Sequence, residues 1–211
     1  MHFDTGYQDD GTLGLIWNGF TGAPTIDPTA AILGAAALRT TTSSDQVYAS
    51  LGSKVIDLSG EFTVTFKYNP LVGNPGKTTF LACDRLSGHI FIILWEGGLQ
   101  WYDGVYGSSD TRLTFNDLVF TTGVPCEVAF SRDASGTLRC AKDGVLSAST
   151  YSVAGHDYSL SVNHIIIGSS YSNNGNFGVM DELMIANKCL FTTNYTPHTV
   201  EYVQGAIVPF V

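Results

Sequence analysis

Two carboxylates stand side by side in the stretch FGVMDELMIANKCLFTTNYTPH, at Asp181 and Glu182. Paired acids can hydrolyse glycosides, but only when their carboxyl groups lie roughly 5–9.5 Å apart across one cleft. Adjacent side chains of a strand point to opposite faces, so this pair cannot address one substrate unless the backbone is bulged there. The spacing predicts structural acids, with Asp181 hydrogen-bonded to local backbone near a strand end and Glu182 facing solvent. The histidines, His2, His89, His156, His164 and His198, are scattered, without the spacing of a triad or a metal centre, and read as structural or exposed. Asp103, Asp110, Asn116 and Asp117 crowd the segment DGVYGSSDTRLTFNDL and offer the hard oxygen ligands that calcium takes. They lack a calcium-loop spacing, so calcium stays open here while no catalytic residue and no definite metal site is assigned.

Two further stretches carry binding chemistry. WYDGVYGSSD contains Trp101, Tyr102 and Tyr106, and SSYSNNGNF contains Tyr171, Asn173, Asn174 and Asn176. Aromatic faces suit the apolar side of a sugar ring, while amides and backbone suit its hydroxyls. The same Tyr, Ser, Gly and Asn mixture serves adaptable binding loops and also builds ordinary turns, and both readings are open. At the C-terminus, TVEYVQGAIVPFV ends on an apolar run with Ile207, Val208, Phe210 and Val211. An exposed run of this kind would be an unusual surface patch. It either docks on a neighbouring subunit or capsid, or closes its own sheet against the N-terminal strand.

The elements that must position these residues are strands. FTVTFKY (Phe62 to Tyr68) alternates apolar and polar positions, as do EVAF and TLRC. IFIILW and HIIIG are continuous apolar runs, expected of central strands covered on both sides. Turn residues fall between the runs in LSGE, NPLVGNPGK, EGG, DASG, KDG and SNNGN. Short strands separated by Gly, Asn and Pro turns predict an antiparallel sandwich or barrel. TAAILGAAALRT has helical composition, but Gly34 interrupts it and its apolar residues form no clean stripe, so extended structure is favoured there.

The chain's 211 residues suit one large core better than two small ones. Charged residues are only 14% of the chain and Gly numbers 23, a profile of strands and tight turns. The net charge of −9, spread along the chain, opposes binding to nucleic acid or anionic membrane. The N-terminus MHFDTGYQDD lacks a secretory signal's basic and apolar regions, and AAILGAAAL is far shorter than the ~20 residues of a membrane span. Synthesis in a cytoplasm without export is expected, with Cys83, Cys126, Cys140 and Cys189 reduced. In CEVAFSRDASGTLRCAKDG a hairpin turning at Asp133 to Gly136 sets Cys126 diagonally from Cys140, ~7–8 Å apart and beyond disulfide reach.

Several segments in order resemble the laminin G-like, concanavalin A-like jelly-roll superfamily, in the form common among bacteriophage structural and tail proteins. HFD is similar to its first strand, GAAALRTTTSSDQVYASL to its G-x-A-L-x-F-x-G-x-x-D-Y-V stretch, and LSGEFTVTFKYNP to its GDFTIEFWVYP strand. VPCEVAFSRDASGTLRCAKDGVLSAS resembles its W-H-H-V-A-V-T-R…G-T-L-R-L-Y-V-D-G hairpin, with Pro125-Cys126-Glu127 in place of Trp-His-His and Lys142 where an apolar residue is common. FGVMDELMIANKCLFTTNYTPH resembles the closing F-x-G-Y-I-D-E-L-R-I…F-T-P-P segment.

The resemblance implies an all-β, antiparallel β-sandwich jelly roll of two packed sheets over residues 1–198, with residues 199–211 as an apolar extension. Laminarinase-type glycosidases on this fold carry Glu-x-Asp-x-x-Glu on one strand, a spacing absent here. The implied function is a non-enzymatic virion protein, a head decoration or tail accessory. Strand-like sequence from His2 leaves no room for an anchor, so the sandwich itself would dock on capsid or tail proteins or form a homo-oligomer. The alternative is a carbohydrate-binding module that recognises host-surface glycan.

Overall fold

A computed structural model describes residues 15, 17–71, 78–85, 88–104, 111–161, 164–168 and 178–200. The strands that the alternating runs demand are present and form two seven-stranded antiparallel sheets. The front sheet runs β1 (Trp17–Thr21), β4 (Gln46–Ser50), β15 (His164–Gly168), β7 (Thr78–Arg85), β8 (Gly88–Trp95), β9 (Leu99–Asp103) and β10 (Thr111–Phe115). The back sheet runs β13 (Val145–Ser152), β12 (Thr137–Lys142), β11 (Cys126–Arg132), β6 (Phe62–Pro70), β16 (Gly178–Ala186), β3 (Ala37–Thr40) and β2 (Thr25–Asp27). A small ladder of β5 (Val55–Ile56) and β14 (Leu160–Ser161) stands apart. This is the jelly-roll sandwich expected from the sequence. Among the described residues there is no helix: residues 28–36 run as turns and bends, and only Ala37–Thr40 of TAAILGAAALRT is extended. None is therefore long and apolar enough to cross a membrane.

One core fills the space between the sheets. β6 sends Phe62, Val64, Phe66 and Tyr68 into it, and β11 sends Val128 and Phe130, each by the period-2 alternation of a strand. β9 contributes Leu99 and Trp101. Trp101 is 0% exposed, its ring stacked on Phe91 at 4.3 Å between centroids and on Phe62 at 5.5 Å. Tyr158 meets Trp101 edge-on at 5.3 Å. These contacts join both sheets through one indole.

The β11–β12 hairpin turns where the sequence predicts, with Asp133 Oδ1 accepting from the backbone of Ser135 at 2.9 Å and Thr137 at 3.0 Å. Its register differs from the expected one. Cys140 pairs with Phe130, four residues along β11 from Cys126, so the two thiols are further apart than diagonal neighbours. All four cysteines are free, and burial pushes the Cys126 thiol up to about 12.

Replacing Trp101 removes an aromatic bridge from a closed core. Trp101→Ala is expected to cost about 3–5 kcal/mol in urea unfolding; a loss below about 1 kcal/mol would contradict this packing.

Candidate functional site

The outer face of the front sheet carries a second, smaller apolar cluster, separate from the core. Ala82 and Ile166 are buried in it, and Tyr48 and Tyr102 pack against them while remaining partly exposed. Register places these residues in one row: Gly19 pairs with Tyr48, Tyr48 with Ile166, and Ile166 with Ala82. The row continues from Ala82 to position 92, on to Tyr102 and then to Arg112. It crosses all seven strands. The run HIIIG is continuously apolar because Ile165 and Ile167 enter the core while Ile166 floors this outer cluster. Expecting that run to be covered on both sides was half right: the outer cover is a pair of tyrosines.

Tyr48 is held in place. A Cβ on Gly19 would coincide with the Tyr48 ring, so the ring lies over the glycine of the neighbouring strand. The His164 imidazole meets it edge-on, at 5.8 Å and 89°. At the far end Arg112 is paired with Glu96. Gln100, two residues before Tyr102 on the same face, donates from Nε2 to the Glu96 carbonyl at 3.2 Å. Its Oε1 finds no hydrogen-bond partner among the described residues, although Gln100 is only 6% exposed.

The sequence placed Trp101 and Tyr102 together in a binding loop, and the structure separates them. Both lie on β9, where adjacent side chains face opposite ways, so Trp101 belongs to the core and only Tyr102 reaches the outer face. Glycan contact through Trp101 is thereby corrected to a packing role. Tyr106, Tyr171, Asn173, Asn174 and Asn176 lie outside the described residues, as do Ile207, Val208, Phe210 and Val211. Tyr48, Ile166 and Gln100 were missed. Their signal was present in the alternation of QVYAS, HIIIG and LQWYD, but register alone brings distant strands into a row.

The acids considered for calcium are separately engaged. Asp103 Oδ2 accepts from the Tyr158 hydroxyl at 2.8 Å and pairs with His156 Nδ1 at 2.5 Å, at one end of the core. Burial and the neighbouring Asp103 push the Tyr158 phenol well above its usual range. Asp117 instead accepts from the Ser147 hydroxyl at 2.5 Å and the Ala148 amide at 2.7 Å. Asn116 is exposed and Asp110 lies outside the described residues. Among the described residues no three His, Cys, Asp or Glu side chains are grouped to hold a metal ion.

The back sheet's outer face is covered by the chain. Phe191 and Tyr195, from the segment after β16, pack on Ala129 and Ala141. Beneath them Glu127 Oε2 meets Lys67 Nζ at 2.8 Å and His198 Nδ1 at 2.7 Å, and Tyr195 donates its hydroxyl to Oε1 at 2.8 Å. Lys67 also donates to the His198 carbonyl at 2.8 Å. Burial raises the Glu127 carboxyl, but hydrogen bonds from His198, Lys67 and Tyr195 outweigh it and hold the group below its usual range.

The family model described as the concanavalin A-like lectin/glucanases superfamily matches residues 42–194. No curated protein sequence matches the chain. Among solved structures, the receptor binding domain of a botulinum neurotoxin C/D mosaic serotype has a TM-score of 0.63 at 13% identity, over 85% of this chain and 45% of that one. The serotype D neurotoxin ligand binding domain, solved in complex with N-acetylneuraminic acid, has a TM-score of 0.64 at 13% identity, over 85% and 44%. Domain 4 of a Geobacillus stearothermophilus arabinanase, solved with arabinotriose, has a TM-score of 0.59 at 18% identity, over 81% and 78%. This chain thus spans less than half the length of the toxin domains it matches.

Asp181 and Glu182 have a different geometry from the expected one. The pairing of β16 with β6 slips between Asp181 and Met184, and Glu182 takes a left-handed backbone, φ 53°. Both acids are buried at this bulge, each 1% exposed, so Glu182 does not face solvent. Asp181 accepts from Ile32 and Leu33 amides at 3.1 Å and from Glu182 at 3.0 Å, so its backbone partners include a segment far away in the chain. Burial dominates and pushes its carboxyl up to about 6, with the Glu182 charge adding to the rise.

A pKa raised on folding contributes stability that is complete below the unfolded value, 3.8, and is lost as pH climbs through about 6. Glu127 has the opposite sign and acts only at lower pH. Raising pH from about 5 to about 7 is therefore expected to cost roughly 1 kcal/mol of unfolding free energy through Asp181. Denaturant titrations at both pH values should show this slope in the native chain and a flattened one in Asp181→Asn; equal slopes would refute the assignment.

Proposed function

The chain belongs to the concanavalin A-like lectin/glucanase superfamily, and from that premise we propose that it is a non-catalytic carbohydrate-binding domain whose site is the outer face of the front sheet. One observation carries this reading: two partly exposed tyrosines, Tyr48 and Tyr102, on an apolar floor of Ile166 and Ala82, in a single row across the strands. Aromatic and apolar surface receives the C–H face of a sugar ring, and neighbouring amides and hydroxyls take up its polar edge. The arabinotriose and N-acetylneuraminic acid complexes of the structural neighbours support carbohydrate as the broad class of ligand.

The carboxylates do not favour hydrolysis. Asp181 and Glu182 are buried on the bulge, Glu127 is locked to Lys67 and His198, and Asp103 to His156 and Tyr158. Docking on a virion through the apolar tail rests on residues outside the described ones. If the phage-type resemblance extends to location, the front face would meet host-surface glycan while another surface joins the particle.

Binding to an immobilised panel of plant, bacterial and animal glycans tests the reading. The native chain should be retained on at least one glycan, and Tyr48→Ala and Tyr102→Ala should each weaken that binding about three- to tenfold while the variants stay folded by circular dichroism. Retention unchanged in the double variant, or no retention of the native chain on any glycan, would overturn it.

A further inference from the structure

Granting that the front face binds carbohydrate, its shape and charge restrict the class of glycan. We infer that this face takes a neutral, linear oligosaccharide laid across the strands from Tyr48 to Tyr102, and that it discriminates against acidic sugars.

Length comes from the sheet itself. Tyr48 stands on β4 and Tyr102 on β9, with β15, β7 and β8 between them. Four strand spacings give roughly 19 Å between the tyrosines. A monosaccharide covers only part of that row, whereas a chain of several sugars engages both aromatic ends and the Ile166 and Ala82 floor at once.

Charge comes from what the row presents. An acidic sugar is bound strongly where a cation or several backbone amides face its carboxylate. Arg112, the cation in this row, is already paired with Glu96, and Lys67 is occupied on the other sheet. The chain as a whole carries −9, which lowers the local concentration of any anionic polymer. A neutral glycan meets neither cost.

Gln100 supplies a polar reason for a hydroxyl-rich ligand. Its Nε2 is held by the Glu96 carbonyl, which leaves Oε1 as a buried acceptor without a donor among the described residues. A buried acceptor in this state is destabilising until a donor reaches it. A sugar hydroxyl is a donor of the right size, and Gln100 lies on the same face two residues from Tyr102. An acidic group at that place would set its oxygens against Oε1.

The experiment is a calorimetric titration of the full chain with two series of defined oligosaccharides. The neutral series consists of β-glucan, xylan and arabinan oligomers from disaccharide upward; the acidic series consists of sialyllactose, oligosialic acid and oligogalacturonate. The expected result is affinity that climbs with length in at least one neutral series until the chain spans both tyrosines, with every acidic sugar at least about tenfold weaker. Gln100→Leu should then weaken the neutral ligand about three- to tenfold without lowering the unfolding midpoint. Tighter binding of an acidic series, affinity that does not rise with length, or full affinity in Gln100→Leu would overturn the inference while leaving a carbohydrate site on this face. Binding that survives Tyr48→Ala combined with Tyr102→Ala, or none in either series, would remove the underlying site and the inference with it.

Discussion

Two packed sheets have four faces, and only two of them can be hidden against each other. The chain settles the remaining two in opposite ways. On the back sheet it folds its own later segment across the strands, and a buried carboxylate at Glu127 gathers Lys67, His198 and Tyr195 beneath that cover. A charge taken out of water in this way is tolerable only with all its partners in place, so the contacts of Tyr195 and His198 fix the segment that carries them over the sheet. On the front sheet the outer apolar cluster instead remains accessible at its tyrosines. The asymmetry directs attention to one face of the molecule without appeal to any relative.

Much of this was legible in the sequence, and the failures have definite physical causes. Period-2 alternation identified β6, β11 and β12, and the Asp133 turn placed their hairpin, because each rule acts within a few residues. The misreading of Trp101 came from treating WYDGVYGSSD as a loop; extended backbone at Leu99–Asp103 assigns its two aromatics to different worlds. The Tyr48–Ile166–Ala82–Tyr102 row could not be read at all, since it depends on the order of strands from four distant parts of the chain. The bulge at Asp181 was likewise invisible. Only the skipped register against Lys67 and Thr65 reveals it, and it reverses the expected exposure of Glu182.

That bulge also explains how adjacent acids can be structural without being harmless. Asp181 bonds to two amides of residues 32 and 33, and so ties a long connection to the closing strand. Because the acid sits close to Glu182 in a dry place, it holds a proton more tightly than an ordinary aspartate. A pair that first suggests catalysis is thus better understood as a joint between the back sheet and the chain crossing it. Its chemistry is directed at the protein's own backbone.

Gly19 sits on the edge strand of the front sheet, beyond the last side chain of the aromatic row, and it offers no atom for a ligand to touch. Yet the Tyr48 ring occupies the space that any larger residue at that position would claim. A single methyl group there would tip the ring off its support and change the width and tilt of the surface without altering one contacting residue. Diversification of this face can therefore proceed from behind it, through a position that a comparison of ligand contacts alone would pass over.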